Sequence, residues 1–130
     1  MDGENTKLLA EFLIIYRVGA VLLWLTIYNF QDMVKIESEK VVERKLVELT
    51  NLNGGMCIKL LSFHLLGLPD RLCIFPKSKI VFIETKTTKQ KPRQIQLFMH
   101  DKIRKLGFRV EVVDTVEKVA EVIEDVILNG

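Results

Sequence analysis

Cysteine is scarce in this 130-residue chain: there are two, Cys57 and Cys73, each inside an apolar run and neither in a C-x-x-C pair. That spacing excludes a cysteine-based zinc site and points to buried free thiols in a reducing compartment. A large net charge of either sign is also lacking. The balance is +2, so composition gives no global case for a polyanionic partner, and any electrostatic argument must rest on where the charges sit. Internal repeats and long low-complexity tracts are absent. A secretory leader is not expected, because Asp2 and Glu4 precede the first apolar run and no small-residue cleavage site follows it.

What is present is apolar material, 48% of the residues, enough for one core at this length. The charges are segregated along the chain. Lys86, Lys89, Lys91, Arg93, Lys102, Arg104 and Lys105 face a single Asp101 over one stretch, whereas Glu111 to Asp125 is dominated by acids. One surface is expected to be basic and another acidic.

Residues 1–35 differ in character from the rest. The run Phe12 to Phe30 is almost continuously apolar, broken by Arg17. Its length is close to the ~20 residues of a bilayer crossing. A charge at the centre of such a helix costs about 2.5–3.5 kcal/mol, but Arg17 lies toward one end and can snorkel. Three readings stand open: a membrane anchor, an extra packing or dimerisation helix, and an extension not needed for function. Met33 is a point at which a compact domain, residues 36–130, can begin without losing a later motif.

Over that second part the periodicity predicts a helix from Ser38 to about Asn51, with Ser38 as N-cap and a stripe of Val42, Leu46 and Leu49. Gly54 and Gly55 stop it, and "MCIKLLSF" follows as a strand. "RLCIF" and "KIVFIETK" read as two strands joined across "PKS", where Pro76 suits a turn. A basic loop leads to a helix from about Arg93 to Leu106, with apolar Ile95, Met99, Ile103 and Leu106 and with Gly107 as its stop. "FRVEVVD" is a strand, and Asp114 with Glu117 resembles a capping box for a last helix carrying Val116, Val119, Ile123 and Ile127. The tight turn implies an antiparallel pair and the helical crossover a parallel one, so the chain is α/β with a mixed sheet.

Centring the "PKS" loop on Lys77 sets Asp70 opposite Glu84. Directly opposed residues have Cβ atoms about 4.5–5.5 Å apart, close enough for two carboxylates to share one cation. Strand parity makes Glu84 and Lys86 project together and turns Thr85 away. Like charges at that distance need something positive between them. Two carboxylates and a backbone carbonyl such as that of Thr85 form an all-oxygen set suited to Mg²⁺ or Mn²⁺ rather than zinc. Lys86 beside them is able to orient a water or to neutralise charge on a phosphate. The bland alternative is a turn-capping Asp70 and a solvated strand face.

Pro69-Asp70 followed by Glu84-Thr85-Lys86 resembles the PD-(D/E)xK nuclease signature. The ordered set Glu43, Gly54-Gly55, Lys59, Gly67-Leu68-Pro69-Asp70-Arg71, Glu84-Thr85-Lys86, Gln96 and Gly107 is more specifically similar to the VRR-NUC (virus-type replication-repair nuclease) family, over roughly Glu39 to Asp125. The resemblance implies a restriction-endonuclease-like core in the order αβββαβα, to which the apolar N-terminal helix is an addition. It implies a metal-dependent endonuclease acting on branched or flapped DNA, of Holliday-junction or flap type, working as a homodimer inside the cell. Asp70, Glu84 and the Thr85 carbonyl would hold the metal, and Lys86, Gln96 and Glu43 would complete the catalytic set. Gln94 competes with Gln96 for its role, and Glu39 with Glu43. Lys59, Arg71, Lys89, Lys91 and Arg93 are the candidates for phosphate contacts, which position DNA without reading its sequence. His64 reads as a loop histidine or a phosphate contact. A catalytically silent nuclease fold that binds DNA or a protein, with or without membrane anchoring, is the alternative.

Overall fold

The structure, a computed structural model, describes the backbone of residues 3–31 and 35–130. Met33 and Asp2 therefore lie outside the described residues. The chain divides into two compact units, Met1–Lys35 and Ile36–Gly130. The first contains one helix, α1 (Gly3–Gln31). Among the described residues no helix is long and apolar enough to cross a membrane.

The second unit runs α2 (Glu39–Leu52), β1 (Met56–Lys59), β2 (Arg71–Phe75), β3 (Lys79–Thr85), α3 (Gln94–Lys105), β4 (Arg109–Val113) and α4 (Val116–Asn129). The strands form one sheet in the order β1-β2-β3-β4. Successive pairs among the first three are antiparallel, and β4 lies parallel to β3 after the α3 crossover. This is the mixed sheet flanked by helices that the turn and crossover lengths imply.

One face of the sheet carries the core. Cys73 and Phe75 of β2, Val81 and Ile83 of β3 and Val113 of β4 pack with Val42 and Leu46 of α2 and with Val119, Val122, Ile123 and Val126 of α4. Alternation along β3 thus sends odd-numbered side chains to α2 and α4 and leaves Phe82 and Glu84 for the side covered by α3. Phe82 meets Phe108 edge to face there, at 6.0 Å between centroids. Cys57 and Cys73 are free thiols directly opposite each other on β1 and β2, with Sγ atoms 3.6 Å apart.

Several local expectations need correction. β1 ends at Lys59 rather than near Phe63, because "LLSF" lacks the alternation of a half-buried strand, and Leu61 and Phe63 are exposed. The buried residues of α3 are His100 and Ile103, whereas Ile95 and Leu106 are exposed. The N-cap of α4 is Thr115, whose hydroxyl accepts from Lys118 N at 3.1 Å. Asp114 instead accepts from Lys89 N at 2.8 Å.

That last bond belongs to a knot of hydrogen bonds around the loop after β3. Thr88 N donates to Glu37 O at 3.1 Å, Glu37 N donates to Thr88 Oγ1 at 2.8 Å, and Thr88 Oγ1 donates to Asp114 O at 3.0 Å. The Glu37 carboxylate accepts from Val116 N at 2.5 Å, placing an anion on the first turn of α4, where the helix dipole favours it. Ser38 then caps α2, accepting from Val41 N at 3.4 Å.

The segment between β1 and β2 closes on α3 through Gly67. With φ of +82°, this residue sits in the left-handed region, and a Cβ there would lie 2.4 Å from Ile95 O. Gly107, φ +90°, has the same backbone need but open space around it. Gly67→Ala is therefore expected to carry both a left-handed penalty and an overpacking penalty, at least ~2 kcal/mol together, against about 1–2 kcal/mol for Gly107→Ala. Denaturant unfolding of the full chain, monitored by circular dichroism, checks the order of the two.

Candidate active site

Two strand ends meet where β2 begins and β3 finishes. The register Arg71↔Ile83 and Leu72↔Phe82, continued by one residue, sets Asp70 against Glu84 as the turn centred on Lys77 requires. Both backbones are fixed by the sheet. Asp70 O accepts from Leu60 N at 2.9 Å, and Lys86 N donates to Val113 O at 2.9 Å, extending the ladders on either side. Pro69, fully buried, precedes the aspartate.

Asp70 Oδ2 accepts from Thr85 N at 2.8 Å and from Thr85 Oγ1 at 3.0 Å. Strand parity turns Thr85 away from the carboxylates, but at the last residue of β3 its amide and hydroxyl both reach round to Asp70. Thr85 thus contributes a side chain as well as a backbone to the site.

Glu84 is fully buried. Its Oε1 accepts from Lys86 Nζ and from Gln96 Nε2, both at 2.5 Å. Its Oε2 has no hydrogen-bond partner. Burial pushes the Glu84 carboxyl up to about 7; the Lys86 ammonium pulls the other way, and the Asp70 carboxylate adds to the rise. Gln96 rather than Gln94 reaches the site, and its Oε1 accepts from Arg93 N at 2.8 Å, so one amide closes the start of α3 and holds Glu84.

His100 also belongs to the site, although sequence reasoning does not single it out. It is fully buried, with Nε2 3.5 Å from Glu84 Oε2. Its basicity is lowered by burial first, then by the charges of Arg104 and Lys86. A signal existed: four residues after Gln96, His100 shares its helix face.

Glu43 is held by Arg71, the residue that follows Asp70. Its Oε1 accepts from Arg71 Nε at 2.8 Å, pairs with Arg71 Nη2 at 2.8 Å and has Lys59 Nζ at 3.8 Å. Arg71, whose side chain is 16% exposed, thus ties α2 to β2, whereas the Lys59 side chain is 61% exposed. Among the described residues no three or more His, Cys, Asp or Glu side chains form a group able to hold a metal. Any ion here would rest on the two carboxylates and backbone oxygen. Lys89, Lys91 and Arg93 are exposed on the loop from β3 to α3, beside Lys86. His64 is exposed in the segment before Gly67.

No family model matches the sequence. Individual proteins do. A protein of Acyrthosiphon pisum secondary endosymbiont phage 1 named "Putative nuclease p44" is 38% identical over 77 residues, which cover 59% of this chain and 83% of the phage protein. A solved structure described as "VRR_NUC domain" superposes with a TM-score of 0.63 at 33% identity, over 68% of this chain and 97% of its own. Identity at that level, over 83% of the one relative and 97% of the other, places this chain in the VRR-NUC family.

Proposed function

We propose that residues 36–130 form a restriction-endonuclease-like domain that hydrolyses phosphodiester bonds in branched or flapped DNA with the help of Mg²⁺ or Mn²⁺. The observation that carries this reading is the meeting of Asp70 and Glu84 at adjacent strand ends, with Lys86 Nζ 2.5 Å from Glu84 Oε1 and Glu84 Oε2 without a partner.

The donor set fits a hard dication. A buried carboxylate oxygen with no hydrogen bond is costly unless something positive meets it. Asp70 supplies a second carboxylate on the neighbouring strand, and the Thr85 carbonyl a neutral oxygen, which together make an all-oxygen set. When bound, such an ion supplies Lewis acidity toward a phosphoryl oxygen and lowers the pKa of a water nucleophile.

The chain's own residues do the rest. Thr85 holds Asp70 by two hydrogen bonds, so that this carboxylate does not have to be ordered during the reaction. Gln96 and Lys86 fix Glu84 from one side. The Lys86 ammonium, 13% exposed, is the group at the rim of the site with a positive charge to offer a phosphate or an attacking water. Glu43 keeps Arg71 and Lys59 oriented at the same end of neighbouring strands, and Lys89, Lys91 and Arg93 continue the basic surface toward the DNA backbone. A homodimer presenting two such sites would cut both strands of a junction, whereas a single site would nick a flap.

The assay compares four-way junctions, flaps and linear duplex with Mg²⁺ or Mn²⁺ added to the full chain. Asp70→Asn and Lys86→Ala are each expected to lower the cleavage rate by about 100-fold or more; activity surviving both changes would remove this site from the reaction. Neutralising Lys89, Lys91 and Arg93 together is expected to weaken binding to all DNA shapes. The slope of log affinity against log salt should become shallower by about 0.9 for each duplex phosphate that is no longer neutralised. Fluorescence anisotropy titrations at several salt concentrations read that slope.

A further inference from the structure

The proposed chemistry leaves one buried group without a task. His100 is fully buried on α3, and neither of its ring nitrogens has a hydrogen-bond partner. Across from it, 3.5 Å from Nε2, lies Glu84 Oε2, which among the described residues is the remaining buried side-chain atom without a hydrogen-bond partner. An apolar side chain would fill the space with no unpaired polar atoms, as Ile103 does on the same helix. Packing alone therefore does not account for an imidazole here.

The distribution of donors on Glu84 says what the imidazole does. Oε1 already takes two, Lys86 Nζ and Gln96 Nε2, each at 2.5 Å, which uses its two lone-pair directions. Those bonds hold one oxygen but leave the carboxylate plane free to swing about it. Closing the 3.5 Å gap to an ordinary N–H···O length needs a movement of about 0.6 Å, within the reach of a small ring rotation. With no exposure to solvent, His100 does not touch DNA.

We infer that His100 is a positioning residue whose Nε2–H donates to Glu84 Oε2, fixing the carboxylate plane so that the second lone pair of Oε2 is presented to a divalent cation shared with Asp70. This role rests on the reading of Asp70 and Glu84 as the metal-holding pair. It makes the face of α3 a two-point clamp, Gln96 on one oxygen of Glu84 and His100 on the other. Outer hydrogen-bonding groups of this kind are worth about 10- to 100-fold in metal affinity or activity.

The test uses the full chain and Mn²⁺ alone as the binding probe, by isothermal titration calorimetry, with thermal melting and steady-state cleavage alongside. His100→Leu keeps most of the volume and removes the donor; His100→Gln keeps an N–H at similar reach. Expected for His100→Leu are a melting midpoint no lower than that of the parent and Mn²⁺ affinity weakened by about 10- to 100-fold. Its kcat should fall by a similar factor, with KM for DNA unchanged. His100→Gln should recover affinity and kcat to within about threefold of the parent. A folded His100→Leu with parental affinity and kcat would overturn the inference, as would equal impairment of both variants, which would mark the ring as packing. If His100→Leu does not fold, His100→Gln decides: near-parental Mn²⁺ affinity supports the role, and a loss of tenfold or more overturns it. A parent chain that binds no Mn²⁺ would overturn the metal reading itself and this role with it, an outcome separate from parental binding that is insensitive to position 100.

Discussion

The alignment of one hairpin governs this domain. Arg71 through Phe75 pair with Ile83 through Lys79 around a loop in which Lys77 and Ser78 adopt φ of 65° and 60°. Two successive residues in the left-handed region are unfavourable for ordinary side chains, so the surrounding strands must hold the turn. They do so by burial: Cys73, Phe75, Val81 and Ile83 all enter the core, and a slip of one residue would turn that set outward. The same pairing that fills the core also sets Asp70 beside Glu84 and Thr85. Folding and site geometry are consequently one constraint.

The two faces of the sheet divide the labour. On the α2 and α4 side, the buried cluster is apolar and continuous. On the α3 side, Glu84, Gln96 and His100 occupy positions that a purely structural protein would fill with aliphatic groups. Burying a carboxylate and raising its pKa to about 7 lowers stability. The apolar face offsets that loss, in the common pattern whereby local rules are broken at a site and satisfied elsewhere.

Much of this is legible in the sequence because it follows from short-range rules. The loop "PKS" fixes the pairing, alternation assigns Glu84 and Lys86 to one direction, and Ser38 and Gly107 mark helix boundaries where backbone groups need a cap or a left-handed residue. What escapes depends on approach in three dimensions. Thr85 reaches Asp70 because a strand end is freer than strand parity assumes. His100 is hidden in a helix whose apparent stripe, Ile95, Met99, Ile103 and Leu106, packs only in part: Ile103 is buried, whereas Ile95 and Leu106 are exposed. The ion pair between Glu43 and Arg71 is a relation between elements that spacing does not encode. Asp114 has the composition of a helix cap, yet the loop amide of Lys89 claims it.

The knot linking Glu37, Thr88, Asp114 and Val116 has a bearing on how far the folded unit can be trimmed. Residues just ahead of α2 hold the chain immediately beyond the site lysine and also seed the final helix. The front margin of the unit therefore doubles as a strap across its far end, over a sequence separation of 51 residues to Thr88 and 79 to Val116. Deleting upstream of Ile36 spares that strap, whereas cutting two residues further in severs it and frees the loop that bears the basic surface.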